Sequence, residues 1–172
     1  MKRPMTPRGY NALRSELKRL KSSRPELARA IEIARGHGDL SENGDYDAAK
    51  EKSGMVEAKI RDIESKLAMA EVIDPRRNPN PNRVVFGVSA KISDIDSAEE
   101  RVLSIVGADE SNVDRGWISR ESPLGRALIG KELGDVVKVN IPGGAREYEI
   151  LEIFVDYQED PSEESQSEQM QE

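Results

Sequence analysis

Two carboxylates, Asp39 and Glu42, stand three residues apart in the stretch Arg35-Gly36-His37-Gly38-Asp39-Leu40-Ser41-Glu42-Asn43-Gly44-Asp45. Its glycines and short polar residues make a turn, where no core requires acids. Acids at that spacing can point the same way, hold a hard cation such as Mg²⁺ through oxygen, or orient a water. Two ligands fall short of a dedicated Mg²⁺ site, so any metal role must be shared with a partner that brings further oxygens or phosphates. A plainer reading stays open: near the start of the following helix, either acid is favourable through the helix dipole alone. Arg35 and Lys50 flank the turn. They could grip a phosphate backbone, although solvation is the commoner role of surface cations. His37 is the only histidine and reads as a turn residue. No Ser/His/Asp arrangement follows from the spacing. Gly36-His37-Gly38 lacks the Lys-Ser/Thr that a phosphate-binding loop needs.

The elements on either side must position that turn. Before it, apolar residues recur at Tyr10, Leu13, Leu17, Leu20, Leu27, Ile31 and Ala34, a heptad stripe with one member missing at Arg24. After it come Tyr46, Ala49, Ser53, Val56, Ile60, Ile63, Leu67 and Ala70. The stripes mirror each other: Ala34/Tyr46, Ile31/Ala49, Leu27/Ser53, Leu20/Ile60, Leu17/Ile63, Leu13/Leu67 and Tyr10/Ala70 each sum to 80. Helices folding back at residue 40 would meet layer by layer, which is the register of an antiparallel coiled-coil hairpin over residues 1–74 with a tip at 35–45. Each arm would reach roughly 36 Å at the rise of an α-helix. Ser23-Arg24-Pro25-Glu26 reads as a capping box with Pro early in a new helix, so a kink or restart is expected near Ser22–Pro25.

Residues 75–83, rich in Pro and Asn, read as an extended linker. Beyond them the period changes. Val84–Ile92, Glu100–Val106, Val113–Ser119, Val136–Ile141 and Glu147–Val155 are β-like runs. Ser122–Gly130 reads as one short helix, and Pro142-Gly143-Gly144 as a hairpin turn. Residues 84–157 therefore form a small, mostly antiparallel sheet with one helix packed on it, and the fold class is α+β. Trp117 is expected in its core. Residues 158–172 carry six acids and no base and read as a disordered acidic tail.

Of the 172 residues, 36% are hydrophobic and 34% charged, a balance that fits a soluble chain with a thin core. The absence of cysteine excludes disulfides and thiolate metal sites. No apolar run approaches the roughly 20 residues of a membrane span, and no apolar segment follows the basic N-terminus. The expected location is the cytoplasm. The net charge of −7 is unevenly spread: residues 1–35 hold ten Lys or Arg against three Glu, a balance that favours a polyanionic partner or simply a solvated helix face.

Ile33–Lys50, with its Gly-Asp-Leu-Ser-Glu-Asn-Gly-Asp-Tyr core, closely resembles the tip signature of the bacterial transcript-cleavage factors of the GreA/GreB family. A second stretch, Ile118–Lys131, resembles another signature of that family, and so do Met5-Thr6, Val72-Ile73-Asp74, Val85-Phe86-Gly87 and the Pro142-Gly143-Gly144 turn. The resemblance spans residues 5–157. It implies a coiled-coil domain followed by an FKBP-like domain. It further implies a monomer that enters the secondary channel of bacterial RNA polymerase and docks at the rim through Ser119, Ser122 and Pro123. Asp39 and Glu42 match the acids that share the second catalytic Mg²⁺ and the attacking water with the polymerase, which then cuts its own backtracked RNA. Ser41 and Asn43 support the tip, and Arg35 and Lys50 match positions that touch the nascent RNA near its 3′ end. No cofactor is implied for the chain alone, nor any membrane contact. Gly44 and Gly125 stand where the family often has Ala, which is expected to loosen the tip and shorten the docking helix. The tail has no counterpart in the family pattern. Two other roles fit the same sequence: a channel-binding inhibitor of like architecture, and a prolyl isomerase, for which the aromatic supply (Phe86, Trp117, Tyr148, Phe154, Tyr157) is meagre.

Overall fold

The computed structural model of the chain describes residues 2–38 and 43–159. The chain folds as two units: a helical one, Asn11–Ala70, and a second that joins Lys2–Tyr10 to the chain from Glu71 onward. The class is α+β.

In the helical unit, α1 (Pro7–Ser22) and α2 (Arg24–Arg35) run one way and α3 (Gly44–Met69) returns. Every member of both heptad stripes is buried or half-buried, while Arg24, at the missing position, is exposed. Leu20, Ile60 and Ile63 form the buried centre, flanked by Leu13, Leu17, Val56 and Leu67. Leu20 and Ile60 are partners in the mirrored register. Ion pairs cross the seam from Arg24 to Glu57 at 2.8 Å and from Lys21 to Glu64 at 3.2 Å. Such exposed pairs contribute about 0–1 kcal/mol, so the apolar seam does most of the holding.

The first arm restarts at Ser23, as Pro25 requires, but the capping box does not form. Ser23 keeps helical angles (φ −80°, ψ −13°), so its hydroxyl donates back to the Leu20 carbonyl at 2.6 Å instead of capping α2.

A two-stranded sheet pairs β1 (Arg3–Met5) with β2 (Ala70–Val72), and the second unit holds a five-stranded sheet. The larger sheet is built from β3 (Ser89–Asp94), β4 (Glu100–Val106), β5 (Trp117–Ser119), β6 (Val136–Ile141) and β7 (Gly144–Phe154), in the order β5-β4-β3-β7-β6. Neighbours are antiparallel except β4 and β5. Alternate residues of the strands, with Leu128 of α4 (Pro123–Leu128) and Val84, make one apolar core around Ile92, Leu103, Ile105 and Ile150.

Four differences from the sequence reading have physical causes. The run Val84–Ile92 becomes strand only from Ser89, because the chain turns at Gly87 (φ +87°). Val113–Ser119 is divided by Gly116 (φ +74°) into a 3₁₀ turn, Val113–Arg115, and β5. The linker is not wholly extended: Pro75–Arg77 form a 3₁₀ turn capped by Asp74, which accepts the Arg76 N–H at 3.0 Å. Trp117 lies outside the apolar core, half-buried under the Arg8 guanidinium, 3.6 Å from its ring centroid, with Arg115 at 4.7 Å.

The helical domain also starts later than the heptads suggest. Residues 2–10 belong to the second unit because Ile73 donates its N–H to the Met5 carbonyl (2.8 Å), Arg3 pairs with Asp109 (2.7 Å), and Glu110 accepts the N–H groups of Thr6 and Gly107. At the other end, Arg8 donates to the Gln158 carbonyl (2.9 Å) and Arg76 pairs with Glu159 (2.7 Å), so the acidic extension is seated at its root. Residues 160–172 lie outside the described residues.

Candidate functional site at the end of the hairpin

The end of the hairpin is assembled by α2 stopping and α3 starting. At α2, the N–H of Gly36 reaches the carbonyls of Glu32 and Ile33, and His37 reaches Ala34, so the last turn tightens. Gly38 follows at φ +114°, a backbone state that favours glycine. Asn43 then caps α3: its Oδ1 accepts the N–H of Tyr46 at 3.0 Å, and its Nδ2 donates across to the Ala34 carbonyl. Asp45 and Asp47 lie in the first turn, favourable for the helix dipole, and Asp45 sits 3.8 Å from His37.

Of the expected tip residues, Asp39, Ser41 and Glu42 lie outside the described residues. Arg35 and Lys50 are both exposed, one from each arm, and converge on Tyr46. The Arg35 guanidinium carbon is 5.9 Å and the Lys50 nitrogen 5.3 Å from the Tyr46 ring centroid. A hydrogen bond from Arg35, and then the charges of Lys50 and Arg35, lower the phenol pKa below that of an ordinary tyrosine. Tyr46 was legible in the sequence only as a member of the apolar stripe. Its spacing of four from Lys50 was the available signal, since such positions share a helix face.

The expected docking residues are brought together at α4. Ser122 caps that helix, with its Oγ accepting the Gly125 N–H at 3.1 Å and donating to the Ser119 carbonyl at 2.6 Å. Ser119 Oγ accepts the Glu121 N–H at 3.0 Å, and exposed Pro123 opens the helix. Gly125 is buried against this loop: a Cβ there would lie 2.2 Å from the Ser119 carbonyl oxygen. The glycine therefore permits the loop to close, which the sequence reading missed, and α4 runs from Pro123 to Leu128 with it in place.

Among the described residues no cluster of three or more His, Cys, Asp or Glu could hold a metal ion, and no helix is long and apolar enough to cross a membrane. The hairpin thus offers a capped, cation-bearing end and the sheet unit a capped loop.

Comparisons with known proteins agree along nearly the whole chain. The N-terminal domain of the transcription elongation factor family matches residues 3–72, and the GreA/GreB C-terminal domain matches residues 78–154. Transcription elongation factor GreA of Psychrobacter cryohalolentis is 51% identical over 89% of this chain and 98% of its own length. GreA of Ralstonia nicotianae is 53% identical over 86% and 94%. Among solved structures, GreA factor homolog 1 of Thermus thermophilus covers 89% of this chain and 99% of its own, at 28% identity and a TM-score of 0.41. The family matches account for both the helical and the sheet unit, and the chain belongs to the GreA/GreB family of transcription elongation factors.

Proposed function

We propose that this factor inserts the end of its hairpin through the secondary channel of bacterial RNA polymerase and stimulates the polymerase to cut its own backtracked RNA. The carrying observation is the pairing of a capped hairpin end, with Arg35 and Lys50 gathered there, with the family match across both domains. Relatives about half identical to this chain are named as transcription elongation factors, which supports an action on the transcribing polymerase. The chain is an accessory to another catalyst and not a catalyst itself.

In this reading Asp39 and Glu42 contribute two carboxylates to an Mg²⁺ ion whose other ligands come from the polymerase and the RNA. Two carboxylates alone are too few for a dedicated site, so the ion is shared between this chain and the polymerase. Bound there, the ion would polarise a water and offset developing negative charge. Arg35 and Lys50 hold the RNA near its 3′ end, Ser41 and Asn43 keep the tip in shape, and the loop of Ser119, Ser122 and Pro123 docks at the channel rim. The chain acts as a monomer in the cytoplasm.

The test is to add the chain to a stalled, backtracked polymerase complex and follow the length of the RNA. Shortening is expected. Asp39→Ala and Glu42→Ala should abolish it while binding to the polymerase persists. Binding that blocks elongation without cutting would overturn the reading and leave a channel inhibitor.

A further inference from the structure

Three cations pair with acids across the hairpin seam: Arg24 with Glu57, Lys21 with Glu64, Lys59 with Glu16. Arg35 and Lys50 differ. Among the described residues neither makes an ion pair, and both turn to the phenol of Tyr46. Like charges brought together repel, so their convergence needs a local acceptor. A carboxylate would supply one but would cancel a charge. A neutral phenol accepts hydrogen bonds and offers a ring face to cations while leaving both positive charges in place.

The ring is held firmly enough to organise them. Tyr46 occupies the third position of α3 after its cap, its N–H is taken by Asn43, and Asn43 is in turn bonded to Ala34 on the other arm. Tyr46 is half-buried, and one cation from each arm approaches its ring, Arg35 at 5.9 Å and Lys50 at 5.3 Å from the centroid; the lowered phenol pKa agrees with their nearness. Two cations that no described carboxylate pairs with suit a phosphodiester, with bidentate reach from the guanidinium and a point charge from the ammonium.

We propose that Tyr46 is a positioning residue that holds Arg35 and Lys50 side by side across the two arms as a clamp for the RNA phosphate backbone. The inference rests on the cleavage reading above and adds a residue to it. Tyr46→Phe keeps the ring and removes the oxygen. In the stalled-complex assay it should lower the maximal cleavage rate about tenfold, the loss of one charge-assisted interaction, at an unchanged half-saturating concentration of factor. On an Arg35→Ala, Lys50→Ala background it should add nothing. An ultraviolet titration of the phenols of the isolated chain reads the same geometry without the polymerase. The early-ionising tyrosine should vanish in Tyr46→Phe and move up in pH in Arg35→Ala. Wild-type cleavage by Tyr46→Phe, an undiminished effect on the double-variant background, or a titration indifferent to Arg35 would each overturn the clamp. Failure of the wild-type chain to shorten RNA would instead overturn the cleavage reading, and the titration would still judge the geometry.

Discussion

The side-chain amide of Asn43 bonds in two directions: its nitrogen donates to the Ala34 carbonyl at the end of α2, and its oxygen accepts the Tyr46 N–H at the start of α3. One residue therefore caps one arm and ties it to the other. Asn43→Asp keeps an acceptor for the cap but has no donor for Ala34. It should destabilise the hairpin by about 1–2 kcal/mol. Asn43→Ala loses both and should cost about 1 kcal/mol more. Urea unfolding followed by helical circular dichroism measures both.

Gly44 and Gly125 should behave in opposite ways on substitution by Ala. A Cβ at Gly44 meets no described residue within 4 Å, so Gly44→Ala should stabilise α3 by about 0.5 kcal/mol through the unfolded state. A Cβ at Gly125 would collide with the backbone oxygen of Ser119, so Gly125→Ala should open the capped loop and destabilise the sheet unit by about 1–3 kcal/mol. Thermal unfolding distinguishes them by sign.

The seam of the hairpin is narrow, with Leu20, Ile60 and Ile63 as its buried centre. Ile60, 1% exposed, is the position least able to relax. Ile60→Ala should cost about 2–5 kcal/mol, and half-buried Leu67→Ala less. A Leu20→Ala, Ile60→Ala double-mutant cycle should show non-additivity, because the two share one cluster.

Asp94 closes the β3–β4 turn by accepting the N–H groups of Asp96 (2.9 Å) and Ser97 (3.3 Å), and its other oxygen takes Arg146 at 3.0 Å. The Arg146 hydrogen bond, reinforced by the turn N–H groups, holds its carboxyl below the usual aspartate range. A lowered folded pKa gives stability that is present above the unfolded value and lost as pH falls through the folded one. Asp94→Asn, which keeps an acceptor for the turn, should therefore lower the melting temperature at pH 7. The gap should close below about pH 4, where wild-type Asp94 begins to protonate in the unfolded chain.

The hairpin was readable because its rule is local: a period of 3.5 and a mirrored register need only the chain itself. The strands Glu100–Val106 and Val136–Ile141 were legible for the same reason, through their alternation. Trp117 was misplaced because the group that covers it, Arg8, comes from more than a hundred positions earlier, and pairing at that range leaves no periodic trace. The pairing of β1 with β2 was hidden likewise, since three-residue strands are too short to show a pattern. At the hairpin end the stripe explained Tyr46 too well. Membership of the seam accounted for its ring and drew attention away from the two cations that approach it.

Residues 2–10 belong to the sheet unit, and the polypeptide returns to that unit only after residue 70. No single cut releases the sheet unit whole. A fragment starting at residue 84 would lack Met5, 1% exposed in the intact chain, and would leave Trp117 without Arg8. Excising the helical arm while keeping the sheet unit calls for splicing residue 10 to residue 71 through a short loop. Proteolytic nicking within the hairpin would leave both pieces of the sheet unit associated.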